Sequence, residues 1–181
     1  MNDWYQQNTN ELTQIIVNEF TFIYQKYRGK NQHIYAYALK INDKVIIARS
    51  VISTLEMLKK EHYGLKWQTQ SWGAELNDGD VDDNLDHFNK KMIERYWTEI
   101  GPLIQKGHDI QIEIEKNLVF YIHALKQAKQ ILVNKFGDDI EHILFYISVR
   151  DHPKSEIQSA LAVNSASELL NEFIEFKQSQ S

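Results

Sequence analysis

The chain has 181 residues, 43% hydrophobic and 25% charged, with seven Gly, two Pro and no Cys, and a formal net charge of −5. A chain this long forms one core that removes roughly 70% of its unfolded surface from water, and this balance of apolar and charged residues excludes a disordered segment. Without cysteine there are no disulfides, no thiolate nucleophile and no Cys-based zinc site, which suits a reducing compartment.

The first element runs from about Asn10 to Arg28, where Leu12, Ile15, Ile16, Phe20, Ile23 and Tyr27 recur at helical spacing. Asn8 or Thr9 is its expected cap, and Gly29 fits the left-handed position that ends many helices. Two β-rich runs follow, His33–Ile41 and Lys44–Ile52, joined at Asn42–Asp43 as an antiparallel hairpin. Ile34, Ala36 and Ala38 share one face of the first strand and Tyr35, Tyr37, Leu39 and Ile41 the other, so this strand is expected to be central. Ser53 and Glu56 match a capping box that opens a short helix to about Tyr63, stopped by Gly64.

An irregular stretch containing Trp67 and Trp72 leads into a helix from Asp83 or Asn84 to about Ile100, built on Leu85, Phe88, Met92 and Tyr96 and ended by Gly101–Pro102. A longer helix is predicted over Asp109–Phe136, stopped by Gly137. Ile140–Val149 reads as the third strand and Ile157–Val163 as a candidate fourth, at an edge. Ser165 with Glu168 forms another capping box, opening a last helix to about Phe176. The order specifies a single α+β domain over residues 1–181, with a small, mostly antiparallel sheet of three to four strands and about five helices.

Six carboxylates, Glu75, Asp78, Asp80, Asp82, Asp83 and Asp86, fall within twelve positions, and no Lys or Arg occurs from Gln68 to Asn89. The remaining 19 acidic residues nearly balance the 20 basic ones, so the acidity of the chain belongs to this one segment. As a calcium loop it fails: counting from Asp78, the sixth position is Asp83 where a Gly makes the turn, and the twelfth is Asn89 rather than Glu. As a catalytic pair it lacks the asymmetry of burial that would separate two pKa values. Asp82, Asp83 and Asp86 also sit where negative charge favours a helix N-terminus, but Glu75, Asp78 and Asp80 precede any helix. What remains is an electrostatic surface, with Trp67 and Trp72 as aromatic anchors beside the charge.

The seven histidines are scattered without metal-ligand spacing, His123 and His142 reading as hydrogen-bonded packing residues. Ser148, Arg150, Asp151 and His152 cluster at a strand end that Pro153 turns. Nucleophile-elbow, P-loop and dinucleotide motifs are absent from the sequence, so no catalytic residue, metal ligand or cofactor is expected. Short basic clusters, Lys59–Lys60 and Lys90–Lys91, are too few for nucleic-acid affinity. The N-terminus shows no secretory pattern and no apolar run reaches membrane-spanning length, so a cytoplasmic, membrane-free protein is expected.

Four segments, YAYALKINDKVIIARSV, KW with SWGAE, LFYISVRDH and SALAVNSASELLNEF, resemble a bacterial family, the domain of unknown function numbered four-three-zero-three, over about Ile34 to Phe176. Ser148 and Asp151 fit its strand-to-turn motif and Asn164 its terminal helix start, where Ser165 stands in place of the usual Pro. The resemblance carries no established activity. It implies an immunity role, because such proteins are often encoded beside delivered toxins. The expectation is therefore a protein that neutralises a basic toxin or effector domain through the acidic, Trp-flanked segment. The alternative is an enzyme of unknown reaction, hydrolysis being the first class to test, with a His/Asp site assembled by the fold.

Overall fold

Both faces of one strand are apolar, and the rest of the chain is arranged to cover them. The computed structural model describes residues 3–59, 66–72, 81 and 84–180. In chain order its elements are α1 (Asp3–Arg28), β1 (Ile34–Ile41), β2 (Ala48–Thr54), α2 (Leu55–Leu58) and α3 (Leu85–Arg95). After a π-helical turn at Tyr96–Ile100 come α4 (Gly101–Gln105), α5 (Ile110–Phe136), α6 (Asp138–Glu141), β3 (Leu144–Val149), α7 (Pro153–Val163) and α8 (Glu168–Gln178). The fold is α+β, as the order of elements implies.

The sheet has the order β2-β1-β3. β1 is central as expected, antiparallel to β2 and parallel to β3, so the sheet is mixed rather than mostly antiparallel. Helices α1 and α5 pack against one face, where Phe20, Tyr37, Leu125 and Phe145 are buried. The other face is covered by α7, α8 and the segment 66–72. Tyr35 belongs to this second face with Ala36 and Ala38, not with Tyr37. A register shift between Ile34 and Ala36 is the reason: the extra residue of a bulge breaks the strict alternation of sides.

Several boundaries differ from the sequence pattern because burial outweighs local preference. Helix α1 starts at Asp3, so Asn8 and Thr9 lie inside it and donate to the carbonyls of Trp4 and Tyr5, both at 2.7 Å. Asn31, at φ 53°, takes the left-handed conformation expected of Gly29. The hairpin turn is longer than Asn42–Asp43: Val45 and Ile46 are pulled into the core, and Asn42 Oδ1 accepts from the N–H groups of Ile46 (2.9 Å) and Ile47 (3.1 Å). The cap of α2 is Thr54, not Ser53, and Glu56 instead accepts from the backbone N–H of His33 at 2.8 Å. Residues 60–65, which include Tyr63 and Gly64, lie outside the described residues.

Gly101–Pro102 does not end the helix before it. The Gly101 N–H reaches back five residues to Tyr96 O, a π turn that carries the chain past the N–H that Pro102 lacks. A Cβ at Gly101 would stand 3.3 Å from that same oxygen. Ile157–Val163, the candidate edge strand, belongs to helix α7, which lies along β3 and takes the place a fourth strand would fill. The cap of α8 is Ser167, whose oxygen accepts from Leu170 N at 3.2 Å, while Ser165 donates to Glu141 at 2.8 Å. Among the described residues, no helix is long and apolar enough to cross a membrane.

Candidate functional site

The two tryptophans expected at a partner surface are core residues. Trp67 is 1% exposed and Trp72 7%. Ala36 and Ala38 leave room on the second face of the sheet, and the indoles fill it. Trp67 packs edge-on to Tyr35 and Phe173, and Trp72 edge-on to Tyr146. The Trp72 ring N–H donates to Lys66 O at 3.1 Å, and Tyr35 donates to the same oxygen at 2.7 Å. Segment 66–72 is thus a packed cover for the sheet, and neither ring is a surface anchor.

Of the six acidic residues, Asp86 is described and the other five, Glu75, Asp78, Asp80, Asp82 and Asp83, lie outside the described residues. Asp86 is exposed in the first turn of α3, where its charge favours the positive end of the helix. Asn84 makes the cap, accepting from His87 N at 3.2 Å.

From Asp86, the outward face of α3 continues through Lys90 and Glu94 to Trp97, all exposed. Trp97 is 70% exposed, the largest exposure among the described large hydrophobic side chains. Its place follows from helical spacing: Leu85, Phe88 and Met92 point inward, and Trp97 falls on the opposite side. The eleven positions from Asp86 to Trp97 span three turns, roughly 16 Å along one face. A tryptophan does stand on the same helix face as Asp86, but it is Trp97. Its signal in the sequence was its position off the apolar stripe of its own helix.

A second polar site lies at the carboxyl end of β3. Ser148 donates to Glu156 Oε1 at 2.7 Å, and Glu156 Oε2 is 2.6 Å from the Lys177 ammonium. Thr69 Oγ1 lies 2.9 Å from Ser148 Oγ. Thr69, Ser148, Glu156 and Lys177 come from four separate places in the chain, and all are buried. They floor a cavity of about 200 Å³ whose rim includes Arg150, Asp151 and His152. Pro153 opens α7 here rather than only ending the strand, and Asp151 turns the corner at φ 59°.

No family model matches the chain, and neither does any curated protein or solved structure.

A wider groove of about 600 Å³ runs between α5 and α7 over Lys129 and Asn164. Its buried polar atoms have structural work. The Lys129 ammonium donates to the carbonyls of Glu141 and Ile143 and to Asn164 Oδ1, at 3.2, 3.0 and 2.9 Å. Burial lowers its pKa to about 8 despite the nearby Glu141 carboxylate. Among the described residues the histidines do not converge: His33 pairs with Glu56, His108 with Glu113, and exposed His123 with Gln127. His142 precedes the third strand rather than lying in it. Among the described residues, no group of three His, Asp or Glu side chains could hold a metal ion.

Proposed function

We propose that this protein is a cytoplasmic immunity-type protein that binds a basic toxin or effector domain and neutralises it, the role its resemblance to the family numbered four-three-zero-three implies. The contact surface is the acidic segment of residues 75–86 together with the outward face of α3. The observation that carries this reading is the 70% exposure of Trp97 on the face that begins at Asp86. An exposed indole on a helix face that also carries Asp86, Lys90 and Glu94 suits the aromatic anchor of a binding surface.

The neighbouring cations support it. Lys66 pairs with Glu172, Lys91 with Glu11 and Arg95 with Glu113, so these three bases flanking the acidic segment in sequence have other carboxylates as partners. Six carboxylates within twelve positions would accelerate association with a basic partner by about 10- to 1000-fold, in a salt-dependent way. The polar cavity at the end of β3 includes one histidine, His152, where the enzymatic alternative asks for a histidine pair with a carboxylate.

The test uses the partner encoded next to this protein's gene, purified as its toxin domain. Asp80→Lys with Asp82→Lys slows association in low salt without altering folding, and Trp97→Ala speeds dissociation. Association and dissociation rates equal to those of the parent protein, for all of these substitutions, overturn the assignment of this surface.

A further inference from the structure

We infer that the 200 Å³ cavity at the carboxyl end of β3 binds a free amino acid as its zwitterion. Its volume has room for about six waters, the scale of an amino acid with a short polar side chain. Its charged walls balance, with Arg150 and Lys177 against Asp151 and Glu156. A simple anion or cation would meet as many like charges as opposite ones there. An apolar molecule would desolvate Gln68, Gln70 and Gln180 with nothing returned. A small molecule carrying both charges meets each of its opposites.

The direction of the hydrogen-bond chain places the two ends. Ser148 gives its proton to Glu156, so the short contact between Ser148 and Thr69 requires Thr69 to be the donor. Thr69 then keeps acceptor capacity alone for a molecule in the cavity it lines, which suits an ammonium group. The carboxylate belongs to Arg150, whose side chain is 83% exposed and, among the described residues, held by a 3.6 Å pair with its neighbour Asp151. A guanidinium fork so weakly engaged is available for a bidentate carboxylate. The floor itself argues for use. Lys177 also donates to the carbonyl of Trp67 at 3.3 Å, but a buried Glu–Lys pair is weak support for stability, and the bonds between Ser148, Thr69 and Glu156 close no strand or helix end.

The experiment is thermal denaturation and titration calorimetry of the full chain with each of the common L-amino acids at ~10 mM, with glucose and inorganic phosphate as controls. At least one polar amino acid raises the melting temperature and binds with a stoichiometry of one. Arg150→Ala, a surface change, leaves the unliganded melting temperature in place and weakens that binding about tenfold or more. Thr69→Val weakens it as well, and Thr69→Ser, which keeps the oxygen, restores it. Three outcomes overturn the inference: no amino acid binds, glucose or phosphate binds as well as the best amino acid, or binding is indifferent to Arg150→Ala.

Discussion

Asn164 and Phe145 form a closed pair at the edge of the sheet: the side-chain oxygen accepts from Phe145 N at 2.9 Å and the side-chain nitrogen donates to Phe145 O at 2.7 Å. One amide thus completes both backbone groups that a neighbouring strand would have bonded. Ser159 repeats the device two residues on, accepting from Ile147 N at 2.9 Å. At the opposite edge, Asn89 Oδ1 accepts from Ala48 N at 2.8 Å and its Nδ2 donates to Ala48 O at 2.9 Å. Polar side chains thus bond the outer edge of β3 at Phe145 and Ile147 and the outer edge of β2 at Ala48, which blunts the unpaired template that an open edge offers to another chain.

Asn164→Ala leaves the N–H and carbonyl of Phe145 without this partner and takes one acceptor from Lys129. The expected loss is roughly 2–4 kcal/mol, from stranded buried groups at about 1–3 kcal/mol each with partial relief by water. Asn164→Asp keeps the acceptor but not the donor, and falls between the two. Urea unfolding of the three proteins checks the order.

Two glutamates give stability opposite pH dependences. Glu19 is buried, accepting from Leu85 N at 2.7 Å and from Ser50 at 2.5 Å. Burial raises its pKa above 4.5, outweighing those two hydrogen bonds. The folded state therefore holds a proton that the unfolded state has released, and this contribution is lost as pH rises from 4.5 through the folded value. Glu56 runs the other way. Its hydrogen bond with the His33 ring, stronger than the small burial effect, holds it at about 2, so its contribution is present above 4.5 and lost as pH falls toward 2. Glu19→Gln flattens the slope on the neutral side and Glu56→Gln the slope on the acid side, read from denaturation midpoints across pH. Unchanged slopes in both variants contradict these environments.

Tyr146 and Tyr121 are fully buried, and their hydroxyls have no hydrogen-bond partner among the described residues. Replacing either by Phe removes an unsatisfied polar group, so each variant is expected to be as stable as the parent or more stable by up to about 1 kcal/mol. Tyr37→Phe is the contrast. Its hydroxyl joins the Ser50–Glu19 chain at 2.7 Å, and its loss costs about 1–2 kcal/mol. Equal effects at positions 37 and 146 contradict the distinction.

The tryptophans separate by the same kind of measurement. Trp97 is the exposed indole, Trp67 and Trp72 are buried, and Trp4 is half-buried. Trp97→Phe removes most of the iodide-quenchable fluorescence and leaves stability within about 0.5 kcal/mol of the parent. Trp67→Ala, by vacating the space over Tyr35 and Phe173, costs about 3–5 kcal/mol.

Local pattern was enough to read α1, the central β1, the long α5 with its stop at Gly137, and the α+β class. Each rests on spacing or on a residue's own backbone preference, which the sequence carries directly. The acidic segment, too, is a property of composition. The side of the molecule reached by Trp67, Trp72 and Tyr35 was decided by tertiary structure, because a bulge in β1 and two alanines beneath it create space that no local pattern records. The same holds for Ile157–Val163. Its apolar run suits a strand or a helix equally, and Ser159 and Asn164 favour the helix only because β3 presents an open edge for them to close. The polar cavity joins residues as far apart as Thr69 and Lys177, a proximity that folding alone provides.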